Sequence, residues 1–162
     1  MTRARVRYYL HNLDGLKQEI ADINADLEQY RAMSSDSLQV RLDADPYPSG
    51  KELNEQSGGV YSQVSHAETL AVKRADFINR LEQELFDKKT ILAAINCVLY
   101  YLNGYDRQVD KQIIQLRYVE HLQWRQVQAK MPHDMYYDID TLRHRDQRIT
   151  DEIISSYNAR LK

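Results

Sequence analysis

Cys97 is the only cysteine in the 162 residues, so no disulfide can staple this chain internally. No apolar run with a cleavage site follows the stretch Met1 to Arg7, and a reducing, cytoplasmic setting is expected. The longest apolar run, Ile91 to Leu102, is interrupted by Asn96 and falls short of the ~20 residues a membrane span needs. It is read as core. Neither sign of charge dominates: 22 Lys and Arg face 24 Asp and Glu, a formal net charge of -2. That balance excludes disorder through charge repulsion and argues against a generally basic nucleic-acid binder. The average conceals a division, because the residues up to Asn103 hold 12 basic against 15 acidic groups and those from Gly104 onward hold 10 against 9. Catalytic signatures are also missing. His121, His133 and His144 share no ligand spacing, Cys97 has no partner thiol, and there is no glycine-rich phosphate loop, so no enzyme activity, cofactor or metal site is expected.

What the chain does have is helical periodicity. Val6, Tyr9, Leu13, Leu16, Ile20, Ile23, Leu27 and Tyr30 alternate in steps of three and four with charged residues between, which predicts one helix with an a/d seam ending near Met33. Gly15 lies inside it at a cost of about 1 kcal/mol against Ala. From Ser34 to Val64 the pattern gives way to turn chemistry, with Pro46, Pro48 and Gly50 and then Gly58-Gly59, which reads as a flexible insertion. A second long helix is predicted from a capping box at Ser65 and Glu68, with Leu70, Phe77, Leu81, Leu85, Leu92, Ile95, Leu99 and Leu102 on one stripe. Asn103-Gly104 stops it. The two long helices are expected to pair as an antiparallel, coiled-coil-like arm.

Three shorter helices follow. Asp106 to Val119 places Val109, Ile113 and Leu116 on one face, and Trp124 to Met131 places Trp124, Val127 and Met131 inward. Pro132-His133-Asp134 breaks the pattern, and Asp134 is expected to cap a last helix running from Met135 towards Leu161. Its apolar stripe is Met135, Ile139, Leu142, Ile149 and Ile153. The outward face then holds Tyr136, Tyr137, Asp140, Thr141, Arg143, His144, Gln147 and Arg148. A short helix, a turn and a second helix rich in exposed donors has the geometry to lay that helix in a major groove. Arg143 and Arg148 suit phosphates or guanine edges, Gln147 suits adenine, and Thr141 or the tyrosines suit a thymine methyl or a phosphate. Arg125 and Lys130 on the preceding helix are placed to hold the backbone. A plain three-helix bundle with a solvated charged face fits the same spacing, and Asp138 and Asp140 favour it. Of the 12 tyrosines, Tyr100, Tyr101 and Tyr118 are expected at core edges.

The run from Val109 to Glu120, containing Leu116-Arg117-Tyr118, followed by Leu122, Trp124, Val127 and Met131, resembles the region-four helix-turn-helix of sigma factors. Phage late-transcription regulators of the RinA and ArpU type share that module. The likeness extends upstream through Gly58 to Tyr61, Glu68 to Val72 and Tyr100 to Asn103. Where such modules carry a small alanine, this chain has Gln128. The resemblance implies an activator of phage or prophage late genes that binds promoter DNA in the cytoplasm of a bacterial host, the arm serving self-association or contact with host RNA polymerase.

The sequence thus predicts an all-α protein with an arm helix over 1–33, an insertion over 34–64, a second arm helix over 65–103 and a helix-turn-helix unit over 104–162. Its expected partner is double-stranded DNA, contacted by Arg125, Lys130, Tyr136, Tyr137, Thr141, Arg143, His144, Gln147 and Arg148. A phage small terminase subunit and a helical interaction protein that does not bind DNA are the alternatives.

Overall fold

The computed structural model describes residues 1–33, 66–104, 107–132 and 137–162, of which 66–70 by backbone alone. The protein is all-α, with no strand among the described residues. Helix α1 spans Arg3–His11, α2 Leu13–Ala32, α3 His66–Tyr101, α4 Gln108–Ile114, α5 Trp124–Lys130 and α6 Ile139–Arg160, and a π-helical segment, Gln115–Val119, continues α4. None of the described helices is long and apolar enough to cross a membrane. The expected insertion, the Ser65 capping box and the Asp134 cap lie outside the described residues and side chains.

The first helix is broken where one continuous helix was expected. Asn12, at φ -130° and ψ 48°, closes α1 by donating its N–H to the carbonyls of Tyr8 and Tyr9. Its own carbonyl accepts from the Leu16 N–H at 3.0 Å and so opens the next helix. The Asn12 side chain lies over Gly15, where a Cβ would collide with it. Gly15 therefore provides room for the joint, which helix propensity alone does not register.

Packing divides the chain into two compact units, residues 1–21 with 86–162 and residues 22–85. In the 22–85 unit, Ile23, Leu27 and Tyr30 are buried. The Tyr30 ring packs on Phe77 at 4.4 Å. Arg74 donates to the carbonyls of Tyr30 and Arg31 at 2.9 and 2.7 Å, satisfying acceptors that the end of α2 would otherwise leave open.

The larger unit holds two hydrophobic clusters. The first joins Val6, Tyr9, Leu10 and Leu16 to Ile91, Ala94, Ile95, Val98 and Leu102, and closes with Ile114, Tyr118, Ile149, Ile153 and Tyr157. The second is built from Ile113, Leu116, Val127, Met131 and Leu142, flanked by Val109, Leu122, Trp124 and Tyr137. The π-helical segment serves both. Glu120 donates to the Gln115 carbonyl at 2.9 Å, a five-residue step. Ile113 and Leu116 then enter the second cluster while Ile114 and Tyr118 enter the first. Tyr118 is buried as expected, but Tyr100 and Tyr101 are 74% and 65% exposed, contrary to the expectation of core edges. Val98 and Leu102 take the inward positions of that last turn and rotate both tyrosines out.

Candidate nucleic-acid interface

The last helix begins later than expected. Asp138, in extended conformation, accepts from the Leu142 N–H at 3.1 Å, and Ile139 is the first helical residue. Tyr137 lies before the helix and half-buried against the second cluster, not on an outward helical face. Its carbonyl accepts from Gln128 Nε2 at 2.9 Å. Gln128 thus anchors the segment entering α6, and that tether explains why a polar side chain is accommodated there.

From Ile139 onward the helix has two contrasting sides. Leu142, Ile149 and Ile153 are fully buried. Asp140, Thr141, Arg143, His144 and Arg148 are exposed and Gln147 is half-buried. Five of the candidate contact residues, Thr141, Arg143, His144, Gln147 and Arg148, therefore lie within two turns of one rigid helix. Arg125 and Lys130 are exposed on α5. Lys130 is paired with Glu120 at 2.9 Å. Tyr136 lies outside the described residues.

The two exposed arginines of α6 are held differently. Among the described residues, Arg143 pairs only with Asp140, at 3.1 Å, in a pair whose side chains are 53% and 72% exposed. Such a pair is worth less than ~1 kcal/mol and leaves the guanidinium free to move. Arg148 donates to Asp110 at 2.8 Å, and Asp110 is completely buried. The same carboxylate accepts from Arg107 at 2.9 and 3.1 Å and from Arg145 at 3.0 Å. Glu152 adds a second acceptor for Arg107 at 2.7 Å. Burial works against ionisation of Asp110, but hydrogen bonds from Arg107, Arg145 and Arg148 outweigh it and hold the carboxyl below its ordinary range. An unpaired buried carboxylate would be costly, so this cluster fixes α6 against α4.

Asp146 plays the same part towards α1. It is 1% exposed, accepts from Arg7 at 2.8 and 3.1 Å, and accepts the Tyr118 hydroxyl. Burial, then the Asp146 charge, pushes the Tyr118 phenol up. Asp110, Asp146, Arg107 and Arg145 were not among the expected site residues. A signal was available, since Leu142, Asp146, Ile149 and Ile153 share one helical stripe and Asp110 stands three and four residues before Ile113 and Ile114. Among the described residues no group of three or more His, Cys, Asp or Glu is placed to hold a metal ion. What the arrangement offers chemically is a preset row of cations, amide and hydroxyl on a locked helix. No family model, curated protein or solved structure matches this chain.

Proposed function

We propose that the protein is a sequence-specific DNA-binding regulator of transcription, an activator of phage or prophage late genes, in which α5 and α6 act as a helix-turn-helix. The observation that carries this reading is the sidedness of α6. A helix with side chains measures about 10–12 Å across and enters a major groove about 12 Å wide. On α6 the buried stripe faces the cores while Thr141, Arg143, His144, Gln147 and Arg148 stand outward. Arg143, loosely paired, suits reading of a guanine edge, and Gln147 suits adenine. Arg125 and Lys130 on α5 suit phosphates. In this reading the paired long helices form the arm, used for self-association or for contact with host RNA polymerase. Selection of bound fragments from the source genome, followed by mobility shift, tests it. The expected result is a retarded complex with a small set of promoter fragments. Failure to retard any duplex at low salt overturns the reading, and a large closed ring in light scattering would favour DNA packaging instead.

A further inference from the structure

A cavity of about 220 Å³ lies within the unit formed by residues 1–21 and 86–162. Its walls include Arg7 of α1, Arg117 of the π-helical segment, Trp124 of α5, and Arg143, Asp146 and Gln147 of α6. Three guanidinium groups therefore face one carboxylate. That carboxylate is already committed, because Asp146 accepts two N–H bonds from Arg7 and the hydroxyl of Tyr118. Arg117 spends one nitrogen on a neutral acceptor, the Leu122 carbonyl at 2.6 Å, and is held over the Trp124 ring at 5.3 Å. Among the described residues, Arg143 pairs only with exposed Asp140. Arg117 and Arg143 thus have, among the described residues, no buried counter-charge of their own.

The neighbouring imidazole is shifted chiefly by burial. His11, also on the wall, titrates below its ordinary range through burial, then through the charges of Arg117 and His121. Forked N–H donors converging on a small space, with a side-chain amide beside them, match the oxygens of a phosphate group. The volume is below the ~300–1,000 Å³ of sites that enclose drug-sized ligands, which restricts the occupant to a single small anionic group or the end of a larger molecule.

We propose that this cavity is a phosphate-binding site in which Arg117 and Arg143 supply the charge and Gln147 a neutral hydrogen bond. The proposal goes beyond the DNA-binding reading and does not require it, since a backbone phosphodiester and a free phosphate ester present the same oxygens. Trp124 is the only tryptophan of the chain and lines this cavity, so the protein's tryptophan emission comes from a ring on its wall. The full-length protein is titrated at constant ionic strength with inorganic phosphate, with thymidine monophosphate and with a short duplex, potassium chloride serving as blank. A saturable change in Trp124 emission is expected, weakened about tenfold or more in Arg143→Gln and in Arg117→Gln, the loss of one charge-assisted hydrogen bond. Arg143→Gln gives up only a surface pair and keeps the fold, which circular dichroism checks. Saturation by phosphate or the mononucleotide assigns the site to a free phosphate ester. A response to duplex alone, lost in Arg117→Gln, assigns it to the DNA backbone. If none of the three changes the emission beyond the blank, or if both variants respond like the parent, the phosphate site is refuted. A duplex retarded in mobility shift without any Trp124 response refutes the cavity and leaves the DNA reading intact. A phosphate response without retardation does the reverse.

Discussion

The two hydrophobic clusters of the larger unit are assembled over very different spans of chain. The second draws Ile113, Leu116, Val127, Met131 and Leu142 from one contiguous stretch. The first takes Val6 and Tyr9 from one end of the sequence and Ile153 and Tyr157 from the other. The local cluster sets the crossing of α4, α5 and α6, and so shapes the outward face of α6. The non-local cluster, with the Arg7–Asp146 pair, clamps the same helix from α1. Close to the local cluster Thr141, Arg143 and His144 are exposed, whereas further along the helix Ile149, Thr150, Ile153 and Tyr157 are buried. A recognition helix, the role proposed for α6, needs both conditions, a rigid seat and an open leading edge.

Removing α1 together with the start of α2 tests that division most severely. Deleting residues 1–21 strips Val6, Tyr9, Leu10 and Leu16 from the first cluster. At about 1.5–3 kcal/mol per buried side chain, the loss rivals the ~5–15 kcal/mol that stabilises a typical domain. The expected outcome is loss of cooperative thermal unfolding, followed by circular dichroism. A fragment beginning at residue 104 keeps the second cluster but is expected to lose its fixed α6. An unchanged melting temperature after the deletion would show that the first cluster is dispensable.

This contrast also marks what could be read from sequence. The residues of the second cluster were legible as Val109, Ile113, Leu116, Trp124, Val127, Met131 and Leu142, because three- and four-residue spacing identifies an inward face and short connections leave few partners. The seam from Val6 to Tyr30 was equally regular, and its positions are buried or half-buried, yet periodicity names no partner for a face. The docking of α1 on α6 was therefore not legible. Asp110 and Asp146 escaped because acidic side chains are usually solvated. Only their place on apolar stripes contradicted that expectation. The break at Asn12 escaped for another reason, since a joint that keeps the seam in register leaves no trace in the pattern.

Leu142→Ala probes the local cluster alone. Leu142 is fully buried, and truncation there should cost about 3 kcal/mol, within the ~2–5 kcal/mol typical of such changes. Chemical denaturation should show a lower midpoint, and, if α6 is the proposed DNA surface, DNA retention should fall with it because the leading half of α6 loses its seat. An equal loss of stability with full DNA retention would separate the cluster from the interface.

Asp110→Asn should cost somewhat less, about 2 kcal/mol at neutral pH. It leaves three arginines around an uncharged amide, but their side chains are 24% to 56% exposed and solvent screens them. The pH dependence has a definite sign. The folded carboxyl titrates below the unfolded value of about 3.9, so its contribution is complete above that value and disappears as pH falls through the lower folded one. The stability gap between parent and variant should stay level from pH 8 to about pH 5 and close below about pH 4. A gap that widens with acid would mean that Asp110 is not held ionised.

The smallest changes sharpen the comparison within α6 itself. Arg143 rests on an exposed neighbour, Asp140, whereas Arg148 rests on buried Asp110. Arg143→Ala should leave thermal stability within about 0.5 kcal/mol. If Arg143 reads a guanine, the same change costs about 1–3 kcal/mol of specific binding and relaxes preference at one base position. Arg148→Ala should lower stability by removing one of the three partners of Asp110. Acting on a phosphate, it should also weaken binding to all sequences and reduce the salt slope by about one unit. If the proposed face meets DNA, Asp140→Asn works in the opposite direction, because it removes a carboxylate from that face and releases Arg143, and non-specific binding should strengthen. Mobility shift at several salt concentrations, paired with thermal unfolding of each variant, separates the three. Should both arginine variants keep the parental salt slope and base preference, the outward face of α6 is not the DNA surface, and its charges serve only to hold the helix in place.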